Sequence, residues 1–401
     1  MTIAELEFDP FSQEFFDGAY DLYARMREEA PVYYSEKYDF YALSRYTDVA
    51  AAYRDFSTYS SARGIDLATV RRGEVPPHRS IIVMDPPEHR HVRGIVSKVF
   101  TPRAIAELRP MASDQIDRFL SAVDPAGFDL VQDFSALFPI EIISRMLGVP
   151  EAERTQVRLW TDELLHREVG QIEMSEVGFN AVVEISRYYY ALAKARRADP
   201  QDDMISRLVQ AEIERDDDQP PTLSNMEIAM FAALLGGAGA ETVAKLIGGA
   251  GVAFARFPDQ WEKLQQDRSK IPDAVEELLR YESPNQYNVR YSMKDVRLHG
   301  VTIPAGKPVF LLLGSANRDP EAFPDAHVLD IDRDRSQVPS LAFGYGIHSC
   351  LGAALARLES SIALNRLLDF MPRFEVDLDR CTRVTMQNVA GYNNVPVRVL
   401  R

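Results

Sequence analysis

The sequence predicts a mainly α-helical fold with small β-sheets (α+β), and three observations carry that prediction. Ser224 to Arg256 contains no proline; at a rise of 1.5 Å per residue such a helix would be about 50 Å long, enough to cross the molecule. Strand-like runs are short and confined to Val32–Leu43 and to the segments after Val289, with helical periodicity over most of the rest. No Gly/Ser- or Pro-rich linker, internal repeat or low-complexity tract divides the 401 residues, so residues 1–401 are expected to form one domain.

In chain order, Tyr20 to Ala30 is expected as a helix. Val32 to Leu43, with Tyr33, Tyr34 and Tyr41, suits short strands. Thr47 to Tyr53 is a short helix. Ser60 to Ser80 dissolves into Gly, Arg and Pro and is expected as a loop. Pro86 and Pro87 open the next helix, with Glu88 in its first turn. Helices follow over Ile105–Val123, Pro139–Leu147, Glu151–Leu165, Glu176–Arg196 and Asp202–Ile213. The acidic run Glu214–Asp218, closed by Pro220 and Pro221, is a solvated connector. Ser224 and Glu227 then make a capping box at the start of the long helix, and Pro258 ends it. Glu277 and Arg280 lie on a helix between Pro272 and Pro284. Strands return at Val289–Tyr291, Val296–His299, Val309–Leu313 and Val395–Leu400, and Leu351–Leu368 is a late helix.

The chain is 46% hydrophobic and 26% charged, with a net charge of −15. An acidic total disfavours nucleic-acid binding, which needs clustered Lys and Arg. Two cysteines fit a reducing cytosol. Met1–Gly18 is acidic without an apolar core, and runs such as Met230–Leu235 and Val309–Leu313 fall far short of a membrane span. The expectation is a cytoplasmic protein with no membrane anchor.

The chemistry concentrates in Phe343-Gly344-Tyr345-Gly346-Ile347-His348-Ser349-Cys350-Leu351-Gly352, immediately before a helix-forming run. A sulfur at a helix start is placed to be stabilised as a thiolate by backbone N–H groups and the helix dipole. Gly344, Gly346 and Gly352 remove side chains that would block a flat ligand or restrict φ. A lone thiolate with no Cys or His at chelating spacing argues against zinc and fits haem, where the porphyrin supplies four nitrogens and the protein one axial atom. His348 is placed to reach an anionic group on the ligand's rim. A lone cysteine is otherwise a small buried apolar residue, and Cys381 is assigned to that class.

The loop resembles the haem-binding signature of the cytochrome P450 family, F-x-x-G-x-x-x-C-x-G, with Phe343, Gly346, Cys350 and Gly352 at its fixed positions. The resemblance extends over nearly the whole chain and is to the soluble bacterial type. It implies the P450 fold, a long central helix over haem b, and Cys350 as the iron ligand. In that long helix Gly236-Gly237-Ala238-Gly239-Ala240-Glu241-Thr242 places three glycines within four residues, at about 1 kcal/mol each. Close approach of a flat ligand, local opening of the helix, or tight packing on another helix would each account for them; a dinucleotide-binding loop would not, because G-x-G-x-x-G is incomplete. Ala238 to Thr242 resembles the family's oxygen-activation motif A-G-x-[DE]-T, which implies that Thr242 serves bound dioxygen and Glu241 relays protons.

Asp85-Pro86-Pro87-Glu88-His89 to Arg93 resembles the family's D-P-P-x-H-x-x-x-R helix, so His89 and Arg93, with Arg290 and His348, are implied as partners of the haem propionates; burying such anions needs cations or strong donors. Glu277 and Arg280 match the family's E-x-x-R pair, joined by Arg333 in a structural cluster. By position in the family pattern the substrate pocket draws on Ile81–Val83, the Leu164–Val183 region, Leu234–Ala238, Asn285–Val289 and Val389–Tyr392. Its candidate residues are Ile82, Val83, Leu235, Ala238, Asn288, Val289 and Tyr392. They imply a mid-sized apolar substrate with a polar handle.

Thiolate ligation favours O–O cleavage, so the implied reaction is hydroxylation of a C–H bond with one atom of dioxygen. The chain shows no flavin or nicotinamide domain, which implies electrons from NAD(P)H through a ferredoxin and its reductase. Arg90, Lys98 and Arg103 are candidates for the docking patch. The rival readings are a peroxide-driven haem-thiolate enzyme and a non-catalytic haem protein that binds or senses a ligand.

Overall fold

The computed structural model describes residues 6–75, 79–212 and 221–400. Ser12 caps the short α1 (Gln13–Asp17), and α2 (Tyr20–Glu29) follows. The tyrosine-rich segment forms a hairpin, β1 (Val32–Ser35) and β2 (Phe40–Leu43), leading into α3 (Tyr46–Arg54). β3 (Tyr59–Ser60) and α4 (Leu67–Arg72) come next, and they correct the loop expected from Ser60 to Ser80. Asp66 caps α4 by accepting from the Thr69 amide, Gly73 closes it in the left-handed conformation, and Leu67 and Val70 sink into the core. One and a half turns are too few to show a period among surrounding Gly, Arg and Pro.

α5 (Glu88–Val99) follows Pro86 and Pro87 as expected. Where one helix was expected over Ile105–Val123 there are two, α6 (Pro102–Glu107) and α7 (Arg109–Leu120). Pro110 lacks an N–H and its ring crowds the carbonyl four residues back, so the ladder breaks at Leu108. β4 (Phe128–Asp129) and a π-turn at Val131–Ser135 lead to α8 (Phe138–Leu147), α9 (Glu151–Leu165), α10 (Glu176–Ala198) and α11 (Met204–Gln210). The connector expected at 214–218 lies outside the described residues.

α12 (Asn225–Arg256) opens with the capping box: the Glu227 amide donates to Ser224 Oγ at 3.2 Å and the Ser224 amide to Glu227 Oε2 at 2.7 Å. Of the described helices it alone is long and apolar enough to cross a membrane, yet 67% of its apolar window is buried inside the molecule. It packs on α8, α9, α10, the π-turn and the later helix α16 (Ala353–Phe370). Its glycines make that packing possible. A Cβ on Gly236 would meet the Tyr189 hydroxyl at 3.3 Å, one on Gly237 Thr161 and Leu165 at 3.8 and 3.9 Å, and one on Gly239 Ile143 at 3.4 Å. Gly248 and Gly251 sit tighter still, against Val131 and Leu130 at 2.7 and 2.4 Å. The helix is continuous through 236–242. Gly236, Gly239, Gly248 and Gly251 therefore serve close packing, Gly237 has room for a methyl group, and the unbroken helix shows no local opening.

The remaining elements are α13 (Pro258–Gln266), α14 (Ile271–Tyr281), β5 (Asn288–Ser292), β6 (Val296–Leu298), β7 (Val301–Ile303), β8 (Pro308–Leu311) and α15 (Leu313–Ala316). After α16 come β9 (Phe374–Val376), β10 (Thr382–Arg383), β11 (Tyr392–Asn394) and β12 (Pro396–Val399). The largest sheet has the order β1-β2-β8-β5-β3, with β2 and β8 parallel and the other pairs antiparallel. Its apolar side buries Phe8, Phe40, Tyr287 and Phe310 under α1 and α2. The architecture is mainly α with small sheets, as the sequence predicts.

Candidate active site

The cysteine loop is a tight turn-back. The Cys350 amide donates to the Phe343 carbonyl at 2.8 Å, and Gly344 to the Leu341 carbonyl at 2.8 Å. Gly344 and Gly346 both hold positive φ, which a side chain would strain. Gly346 also docks against α3: a Cβ there would sit 2.4 Å from the Tyr53 carbonyl oxygen. The Arg357 guanidinium lies 4.6 Å from the Phe343 ring centre and pairs with Glu276, bracing the loop from α16 and α14. Gly352 is the N-cap of α16, and the Gly352 and Ala353 amides donate to the sulfur. Cys350 is exposed although the loop encloses it, as a residue facing an internal space would be. Desolvation outweighs the Gly352 amide, Arg93, Arg357 and the Ala353 amide, so the free thiol pKa is raised. The helix start alone does not make the thiolate expected from sequence; a coordinated metal ion deprotonates such a thiol outright.

Four groups with no shared stretch of chain longer than α5 converge beside this loop. His89 and Arg93 project from α5, Arg290 from β5 and His348 from the loop itself. The His89 and His348 ring centres are 4.4 Å apart. Both Nε2 atoms are buried without a hydrogen-bond partner. Arg93 donates to the Ser349 carbonyl at 2.8 Å, and Arg290 to the Val289 carbonyl at 3.0 Å with its guanidinium 5.5 Å from the Tyr53 ring centre. Burial, then Arg290, His89 and Arg93, push His348 down to about 3. Asp85, the carboxylate nearby, is engaged by Ser60 Oγ and the Ser61 amide. Unpaired buried polar atoms are rare and costly, and these two ring nitrogens, flanked by two guanidiniums, fit an anionic ligand with two carboxylates, which would draw protons onto them.

On α12 the accessible strip is Leu234, Ala238 and Thr242, one turn apart, with Ala238 exposed. Thr242 Oγ1 donates to the Ala238 carbonyl at 3.0 Å. Glu241 is buried, and its Oε2 lies 3.2 Å from Lys245 Nζ, in a pair whose side chains are 12% and 6% exposed. The contact lacks hydrogen-bond geometry, leaving Oε2 without a bonded partner. Lys245 escaped the sequence reading, although its i, i+4 spacing from Glu241 was available there.

A cytochrome P450 family model matches residues 171–392. A putative cytochrome P450 123 of Mycobacterium tuberculosis is 38% identical, across 98% of this chain and 97% of that protein. The chain belongs to the cytochrome P450 family. A vitamin D(3) 25-hydroxylase of Pseudonocardia autotrophica is 35% identical over 99% of this chain and 97% of its own length. A solved mutant of P450 EryK in complex with erythromycin B superimposes with a TM-score of 0.85 at 35% identity, covering 94% of this chain and 95% of that one. The protein is a cytochrome P450 monooxygenase, and the family implies a haem iron cofactor.

In this P450 the E-x-x-R residues are fully buried. Arg280 Nε and Nη2 donate to Glu277 at 2.9 and 2.7 Å, Arg333 Nε to Glu277 Oε1 at 3.1 Å, and Arg280 also to the Asn317, Ala326 and Val328 carbonyls. Every donor has an acceptor, which a buried charge cluster requires. The pocket residues divide. Ile82, Val83, Ala238 and Asn288 keep accessible surface. Val289, Leu235 and Tyr392 do not: strand alternation sends Val289 into the sheet core opposite Asn288 and Arg290, Leu235 turns into the helical core, and Tyr392 is buried 4.2 Å from the Arg383 guanidinium. A polar chain that sequence reading did not assemble links Tyr53, which donates to Asn288 Oδ1 at 2.7 Å, with Asn285 and Asn388. The docking candidates Arg90, Lys98 and Arg103 are all exposed, and Arg103 makes a surface pair with Glu107 at 3.2 Å. Cys381 packs half-buried on the core.

Proposed function

We propose that residues 1–401 act as one haem-thiolate domain that holds haem b through Cys350 and hydroxylates a mid-sized apolar molecule carrying a polar handle. The observation that carries the reading is the cage of His89, Arg93, Arg290 and His348, with its two unpaired buried nitrogens, beside a cysteine whose sulfur receives helix N-terminal amides. The four residues would hold the propionates, while Phe343, Gly344, Gly346 and Gly352 shape the loop under the sulfur. Bound there, the haem supplies dioxygen activation and C–H oxidation.

The chain's own residues then have three tasks. Ile82, Val83 and Ala238 exclude water and orient an apolar skeleton, and Asn288 meets its polar group. Thr242 presents a hydroxyl on the accessible strip of α12, where its partner among the described residues is a helix carbonyl that it can leave by rotating about χ1. Glu241 supplies that hydroxyl with protons, with Lys245 Nζ 3.2 Å from its carboxyl oxygen. Two relatives, one named a vitamin D(3) 25-hydroxylase and one P450 solved with erythromycin B, support a substrate of mixed polarity. Electrons come from NAD(P)H through a ferredoxin and its reductase in the cytoplasm, with Arg90 and Lys98 on the docking face.

The test is the carbon monoxide difference spectrum of the reduced, purified protein. A strongly red-shifted Soret band is expected, to be lost in Cys350→Ala while haem remains detectable. An unshifted band in the wild type would overturn Cys350 as ligand. Arg93→Ala with Arg290→Ala is expected to lower haem occupancy, and unchanged occupancy would remove the propionate assignment.

A further inference from the structure

Asn288 stands on β5 with Arg290, on the side opposite Val289, and keeps accessible surface. Its side-chain amide ends a hydrogen-bonded row that starts from a backbone clip. The Gln286 amide donates to the Asn388 carbonyl at 2.8 Å, and the Ala390 amide to the Pro284 carbonyl at 2.7 Å. These bonds tie the segment after Gln387 to the residues before β5. From that clip, Asn388 Nδ2 donates to the Tyr287 carbonyl at 3.2 Å and to Asn285 Oδ1 at 3.1 Å. Asn285 Nδ2 donates in turn to Asn288 Oδ1 at 3.4 Å. The Tyr53 hydroxyl, from α3, donates to the same oxygen at 2.7 Å.

A side-chain amide has a donor end and an acceptor end, and its neighbours decide which faces where. The Tyr287 carbonyl can only accept, so it sets Asn388 with nitrogen toward it. Asn285 must then turn its oxygen to Asn388 and its nitrogen to Asn288, and Asn288 must answer with oxygen. Reversing one amide brings like atoms together; reversing all three sets Asn388 Oδ1 against the Tyr287 carbonyl. Tyr53 is fixed as well. Its ring centre lies 5.5 Å from the Arg290 guanidinium, and burial raises its pKa, so the hydroxyl keeps the proton it donates. Two donors fill the two lone pairs of Asn288 Oδ1. Asn288 Nδ2 has no hydrogen-bond partner among the described residues. What Asn288 has left to offer a ligand is therefore a donor and no acceptor.

We propose that the polar handle of the substrate is a hydrogen-bond acceptor, a ketone, ester, ether or hydroxyl oxygen, taken by Asn288 Nδ2. Asn285, Asn388 and Tyr53 are positioning residues that impose this preference. The proposal rests on the reading of Asn288 as the pocket group that meets the handle. A handle that can only donate would set N–H against N–H and leave both unpaired, which is costly once water is excluded. The row thus selects against such groups as well as for oxygen acceptors.

The test titrates the ferric holoenzyme with three probes of one skeleton, decalin, decalone and decalol, and reads the low-to-high spin shift of the Soret band. In the wild type the ketone and the alcohol are expected to bind about five- to tenfold more tightly than decalin, the effect of one hydrogen bond. Asn288→Leu should erase both advantages. Asn288→Asp, which offers only acceptors, should erase the ketone's and keep the alcohol's. Asn285→Ala adds no charge and frees the amide to turn; it should shrink the ketone's advantage and leave decalin unchanged, which a merely structural role would not do. The carbon monoxide difference spectrum of each variant shows that fold and haem ligation are kept. Neutron diffraction from the deuterated holoenzyme gives a readout independent of any probe: deuterons are expected on the Asn288 amide atom that faces the pocket, and an oxygen there would overturn the inference. If the wild type favours the alcohol but not the ketone, the inference falls and the polar-handle reading stands. If neither is favoured over decalin, or both advantages survive Asn288→Leu, the pocket role of Asn288 falls and the inference with it. Lowered haem occupancy in Asn288→Leu with unchanged probe affinities would assign Nδ2 to the propionates and likewise overturn it.

Discussion

Replacing Gly237 with alanine is expected to stabilise this protein, and the same change at Gly251 to give no gain or a loss. At Gly237 the new methyl would lie 3.8 and 3.9 Å from Thr161 and Leu165, ordinary van der Waals contact. An interior helix glycine costs about 1 kcal/mol relative to alanine, and Gly237→Ala should recover it. Unfolding entropy of about 2.1 cal/mol/K per residue over 401 residues converts this to a rise in Tm of about 1 °C. At Gly251 the methyl would lie 2.4 Å from Leu130 Cδ2. Overpacking costs about 1–3 kcal/mol against the same gain of about 1 kcal/mol, so Tm should be unchanged to about 2 °C lower. Scanning calorimetry of the haem-loaded protein, with Soret absorbance recorded beforehand, measures both effects. A glycine kept for ligand access would behave otherwise: Gly237→Ala would lose haem. Reduced Soret absorbance in Gly237→Ala, or a Tm below that of Gly251→Ala, would refute the helix-packing account.

Arg280→Met leaves the buried Glu277 carboxylate with Arg333 as its one remaining cation, and should cost about 3–5 kcal/mol in urea unfolding; a loss below 1 kcal/mol would show the cluster to be dispensable. Glu359 is fully buried on α16, and desolvation alone raises its pKa well above the ordinary carboxylate value. The unfolded chain releases that proton at a lower pH than the folded one, so wild-type stability falls as pH rises above the unfolded pKa. Glu359→Gln should therefore match the wild type at pH 4 and exceed it at pH 8, and parallel pH–stability curves would contradict this. Lys98→Glu should slow reduction by ferredoxin in stopped flow and weaken its salt dependence, whereas Arg103→Glu should do less, because Glu107 already offsets that charge. Equal effects would place the docking face elsewhere.

Long helices were legible because their signals are local. Ser224 and Glu227 announce the start of α12, and Pro258 its end, with no help from the rest of the chain. Short elements were not. α4 rests on Asp66, Gly73 and two apolar residues whose burial only the sheet provides. The break between α6 and α7 was written in Pro110 but hidden by an apolar period that continues across it. Within the site, residue types and spacing pointed to Cys350 and His348, and the family resemblance to His89, Arg93 and Arg290. The missed groups, Lys245 beside Glu241 and Tyr53 beside Asn288, belong to pairings whose partners are set by packing.

By itself the sequence determined what depends on neighbours along the chain: helix ends, the turn-back glycines of the cysteine loop and the identity of the sulfur that faces the site. The tertiary structure decided what depends on distance through space. It turned the α12 glycines toward α8, α9 and α10, sent Val289 and Leu235 into the core, and left two imidazole nitrogens unpaired between two guanidiniums. It also raised the pKa of the Cys350 thiol by burial. Desolvation and Coulomb energy are set by surroundings gathered from many segments, and no local pattern of residues encodes them.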